Sequence, residues 1–114
     1  MAEHRLSSSV EATGLVRRVE SEGGFAAILH KGDADRGALL LVIRERGQYV
    51  ACLERTLGFD GRYAWGRTGP EPDDGPETLA EFLDRRVKFD SDSWLIELDI
   101  AQPERFIAET TAAG

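Results

Sequence analysis

The sequence predicts a single α+β domain: a curved, mainly antiparallel five-stranded sheet with two helices on one face, in the order α-β-β-β-β-α-β. Three observations carry that expectation. Ala38 to Ile43 is an unbroken apolar run of six residues, too short for a buried helix and suited to a covered, central strand. Arg46-Gly47 follows it and reverses the chain, because tight hairpins need the positive φ that glycine tolerates. Near the C-terminus, Trp94, Ile96, Leu98 and Ile100 alternate with Leu95, Glu97 and Asp99, the period of a strand with one solvated face.

The elements follow in order. Ser8 and Glu11 have the spacing of a capping box, and Ala12, Leu15, Val16 and Val19 form one apolar stripe at helical period. Gly14 inside this helix is read as a point of close packing against the sheet, and Gly23-Gly24 ends it. Phe25–Lys31 is a strand, and the polar loop 32–37 is short enough to predict antiparallel pairing with 38–45. After the central hairpin, Asp60-Gly61 marks a second reversal into a strand over 62–68. Residues 69–77, rich in proline, glycine and acid, form the one linker and announce a helix with Pro76 in its first turn. Leu79, Phe82, Leu83 and Val87 are its buried stripe. The last strand rejoins the sheet at an edge or beside the first strand. Pro103 interrupts the chain, Phe106-Ile107 packs back, and segments 1–6 and 108–114 are expected to fray.

Composition bounds the function. With 114 residues, 41% hydrophobic and 31% charged, the chain is one folded domain. Its formal charge of −7 argues against nucleic acid and anionic lipid as partners. Cys52 is the only cysteine, so no intrachain disulfide or thiolate zinc site forms, and a reducing, cytoplasmic setting is expected. The first 14 residues have no signal-peptide pattern, and no apolar run is long enough to span a membrane.

Several residues resemble a small bacterial family. These are the Arg-Arg-Val-Glu segment closing the first helix, Gly23–Ala27, Lys31-Gly32-Asp33, and Arg86-x-Lys88-Phe89-Asp90 followed by Trp94. Together they resemble domain-of-unknown-function family 1491, over about Arg5 to Phe106. The chain departs from the family pattern at Ser91-Asp92, in place of Pro-Asp, and around Pro103. The resemblance implies one compact α+β domain and brings no activity, cofactor or catalytic residue with it.

No catalytic constellation is readable. His30 and Asp33 make one acid–base pair, which a strand histidine beside a loop aspartate explains more simply, and His4 sits in an end segment. Asp33-x-Asp35, Asp90-x-Asp92 and Glu97-x-Asp99 place carboxylates in pairs, too few ligands for a cation, so no metal site is assigned. Cys52 reads as a buried, inert thiol, and the glycines match no phosphate-cradling motif, so no cofactor is assigned. Tyr63, Trp65 and Trp94 read as core or cross-strand aromatics. The remaining candidate is basic: Arg17 and Arg18 close one helix, and Arg85, Arg86 and Lys88 close the other. With like ends together they would form a ligand-binding patch for an acidic peptide, a small phosphorylated anion or RNA. The overall reading is a non-enzymatic interaction module or accessory subunit. It would engage a protein partner or a second copy through a sheet edge or the arginine-rich ends. The alternative is a small enzyme or ligand-binding protein using the arginines.

Overall fold

The central hairpin forms where the sequence places it. A computed structural model describes residues 6–112, and in it β2 (Leu39–Glu45) and β3 (Gln48–Leu57) pair antiparallel about Arg46-Gly47. Both turn residues have positive φ, 51° and 81°, which matches the twist of a two-residue hairpin. β3 continues antiparallel into β4 (Tyr63–Thr68), and Gly61 at φ 79° completes that reversal. The predicted hairpins therefore stand, and β2-β3-β4 is a meander.

The first strand departs from expectation, and the last takes one of its two expected places, beside the first. The sheet order is β1-β5-β2-β3-β4. β1 (Phe25–His30) does not pair with β2; β5 (Trp94–Asp99) lies between them, antiparallel to β1 and parallel to β2. The short 32–37 loop does reverse the chain, but it spans one strand position and leaves a gap that the C-terminal strand fills. β5 is consequently central. Leu95 is buried on the face expected to be solvated, where Glu97 is only partly covered.

A sheet this buried needs cover on both sides, and the helices divide accordingly. On one face Ala12 and Val19 of α1 (Ser8–Ser21) join Leu39, Leu41, Ile43 and Trp94 in the larger core. Ile107 of a third helix, α3 (Pro103–Ala112), packs into the same core. On the other face Leu79 of α2 (Pro76–Phe89) covers Leu40, Val42, Cys52 and Leu95, with Phe82, Leu83 and Val87 alongside. The expectation of two helices on one face is thus corrected to three, two on one side and one on the other. Two apolar sheet faces supply the physical reason, since a strand buried all round cannot be covered from one side only.

The local corrections are smaller. Ser7, not Ser8, caps α1 by accepting from the Val10 amide at 3.4 Å. Ser8 is buried and donates instead to the Gly37 carbonyl at 2.7 Å. Gly14 is exposed with nothing near its missing Cβ, so it is not a packing contact. Pro103 opens α3 rather than merely interrupting the chain, as proline does at a first helical position. Residues 108–112 are helical rather than frayed. The expectations for residues 1–5, including His4, and for 113–114 lie outside the described residues.

Candidate functional site

The five cations singled out by sequence do not converge. Arg17 and Arg18 end α1, Arg85, Arg86 and Lys88 end α2, and the sheet lies between the two helices. Arg18 pairs with Glu22 at 3.7 Å and Lys88 with Asp84 at 3.0 Å, both exposed i,i+4 pairs of the kind that contributes little. Arg86 is half-buried against Glu54 of β3, and its Nε donates to Ser93 Oγ at 3.2 Å. Ser93 in turn donates to Asp90 at 3.0 Å. That guanidinium is occupied in tying α2 to the sheet. Arg85 has neither a hydrogen bond nor an ion pair among the described residues, and with Phe82 and Phe89 it borders an open groove at the end of α2.

Arg18 lines a different cavity. A cleft of about 450 Å³ separates the end of α1 from α3, bordered by Arg18, Glu22, Ile100, Arg105, Phe106 and Glu109. Arg105 escaped the sequence reading because α3 did. The signal that would have found it is Pro103-Glu104 with Phe106 and Ile107 beyond it, a helix start obscured by the β-branched Thr110-Thr111.

The other candidates serve the fold. His30 Nδ1 lies 2.9 Å from the Ser93 carbonyl, so that nitrogen carries the proton and donates. Asp33 accepts from the amides of Asp35 and Arg36 at 3.1 and 2.8 Å. Trp94 Nε1 donates to the Asp33 carbonyl at 2.7 Å. Gly32 and Gly37 pack so tightly on this knot that a Cβ at either would sit 2.1 Å from the Asp92 carbonyl oxygen. Glu97 pairs with Arg44, and Asp99 accepts from the Arg46 and Gly47 amides. Among the described residues no three His, Cys, Asp or Glu side chains are grouped to hold a metal. Cys52 is buried, and burial raises its thiol pKa, which keeps it protonated and unreactive.

What remains open is a sheet edge. β1 is terminal in the sheet, and α2 covers β2, β3 and β5 without reaching it. Phe25, Ile28 and Leu29 are 58%, 42% and 49% exposed on this one strand. From Phe25 to His30 it carries neither a charged side chain nor a proline, the usual guards of an edge. The opposite edge, β4, has α3 beside it, with Arg67 bonded to Glu104 at 2.9 Å.

These features define a small α+β domain, helices on both sheet faces and one apolar edge strand left uncovered by the described residues. The chain belongs to the family described as "Protein of unknown function (DUF1491)", whose model matches residues 6–108. Solved structures, two of them of this family, share the fold. A crystal structure of a DUF1491 family protein from Caulobacter crescentus CB15 is 27% identical, covers 83% of this chain and 88% of its own, and superposes with a TM-score of 0.74. An NMR structure of a DUF1491 family protein from the same organism is 25% identical over 92% and 94% of the two chains, with a TM-score of 0.76. The solution structure of protein Atu0922 from A. tumefaciens is 30% identical over 84% and 86%, with a TM-score of 0.64. No curated protein matches the chain. Four of the residues quoted from the sequence meet in space: Gly32, Asp33, Asp90 and Trp94 build the knot between the 31–37 loop and the 90–94 turn. Among the described residues no helix is long and apolar enough to cross a membrane.

Proposed function

We propose that this protein is a non-enzymatic interaction module, an accessory subunit working in the cytoplasm, whose contact surface is the free edge of β1. The observation that carries this reading is the exposure of Phe25, Ile28 and Leu29 on an uncharged terminal strand. An extended segment added there would gain main-chain hydrogen bonds and cover those three side chains together. The net charge of −7 and the protonated, buried Cys52 suit a soluble protein in a reducing compartment. The test is chemical cross-linking in native lysate with the full chain as bait. Lys31, one of two lysines in the sequence, adjoins β1 and reports on it. Cross-links at Lys31 that vanish in a folded Phe25→Lys/Leu29→Lys variant support the proposal. Partners retained by that variant overturn it.

A second reading has its own observation. Arg85, without an internal partner among the described residues, stands beside Phe82 and Phe89, a setting that suits a small anion with an apolar part. A thermal-shift screen of nucleotides and anionic metabolites tests it. A saturable shift lost in Arg85→Ala and kept in Lys31→Ala supports that site, and a flat screen removes it.

A further inference from the structure

We infer that the occupant of the β1 edge is a second copy of this chain, paired antiparallel, β1 to β1, about a two-fold axis. The inference rests on the interaction reading above and names its partner. An antiparallel copy is the one occupant for which a strand's outward amides and carbonyls are complementary by symmetry, since each residue meets its counterpart's partner twice. Charge narrows the choice further. Two molecules of formal charge −7 repel over most of their surfaces, and Phe25–His30 is a stretch on which they meet without a carboxylate.

The ends of the strand then match in sign. Just before β1, α1 finishes with Glu20 and Glu22; just after β1 comes Lys31, exposed and without an ion pair among the described residues. Antiparallel pairing centred on β1 carries Lys31 of each copy toward Glu22 of the other, so the dyad creates the same complementary pair at both ends. Glu22 is held internally only by the exposed 3.7 Å pair to Arg18, which leaves it available. A dyad normal to the sheet also keeps α1 of both copies on one face and both Phe25 rings on the other, one at each end of the paired strands and beyond the reach of α2. The product is one ten-stranded sheet, in which the strand edges left over are those beside α3.

The experiment is light scattering on the full chain over a dilution series, with amide exchange read in parallel. The expected result is a mass of twice 12.6 kDa that falls on dilution, with protection over 25–30 that rises with concentration. Phe25→Lys/Leu29→Lys should give the single-chain mass with unchanged circular dichroism. Because an edge variant can fail to fold, the charges supply an independent arm. Lys31→Glu should weaken the dimer about 3–10-fold, since the lost contact recurs at both ends, and Glu22→Lys added to it should restore the affinity. A strict monomer overturns the inference, as does a dimer indifferent to both sets of variants. A monomer that still cross-links a different protein through Lys31 overturns self-association while leaving the interaction reading intact.

Discussion

Arg55 and Glu11 form a two-pronged bond between β3 and α1, Nη1 and Nη2 donating to the two carboxylate oxygens at 2.7 and 2.9 Å. The side chains are only 13% and 19% exposed, and the rings of Tyr63 and Trp65 lie 5.4 and 5.6 Å from the guanidinium carbon. The bond to Glu11 raises the Arg55 pKa against the opposing effect of burial. Planarity is what this site uses, so lysine is a poor substitute. Arg55→Lys should cost about 1–2 kcal/mol in urea unfolding and Glu11→Ala about 2–3 kcal/mol. The double-mutant cycle should return a coupling above about 1 kcal/mol, and additive losses would show that the pair is incidental.

The hairpin turn offers a gain of stability. Arg46 is the one non-glycine residue at positive φ among the described residues, and Asp99 of β5 compensates by accepting from the Arg46 and Gly47 amides at 2.9 and 2.8 Å. Arg46→Asn should stabilise by about 0.5–1 kcal/mol, because asparagine tolerates that conformation. Asp99→Ala should destabilise by about 1–2 kcal/mol by leaving the two turn amides without their acceptor. Thermal melts of the two variants on either side of wild type would meet the prediction.

Glycine-to-alanine changes should differ in sign by position. Gly32 and Gly37 lie where a Cβ would collide with the Asp92 backbone, which cannot step aside as a side chain tip can. Each should lose about 3 kcal/mol or more, or fail to fold. Gly14→Ala, on the exposed side of α1 with open space around it, should gain about 1 kcal/mol.

Alkaline pH should destabilise the domain through two residues. Burial, the largest cause for each, raises the Tyr49 hydroxyl from its ordinary 10.0 and the Cys52 thiol from its ordinary 9.0. As pH climbs past about 9, the unfolded chain releases these protons while the folded chain still holds them. Their effect on stability is therefore nil below that point, and stability falls above it, by up to about 1.4 kcal/mol per pH unit for each proton. Tyr49→Phe should flatten the decline between pH 9 and 11, at a cost near neutrality from the lost 2.6 Å bond to the Pro70 carbonyl.

How far the sequence revealed this molecule depended on range. The hairpin turns, the apolar stripes of α1 and α2 and the N-terminal Pro76 of α2 are local signals, and each was legible. The insertion of β5 was not, because a short 32–37 loop reads identically whether its strands touch or leave a space between them. One clue was present: Ala38 to Ile43 is apolar at every position, which demands cover on both faces and is incompatible with helices on one. Glu97 and Asp99 suggested water on that side, yet Arg44 and the hairpin amides answer their charge. The five-cation patch failed for the same reason, since its convergence presumed helices that share a face.

The late strand also sets a schedule. β1 is complete by residue 30, but the neighbour it needs begins at Trp94, so during synthesis it waits for nearly the whole chain to emerge. Until then both β1 and one flank of β2 are naked, and nascent chains are most exposed to misassociation at that stage. Any truncation upstream of residue 94 should yield not a smaller domain but an insoluble fragment, and a ribosome stalled there should hold a protease-sensitive product.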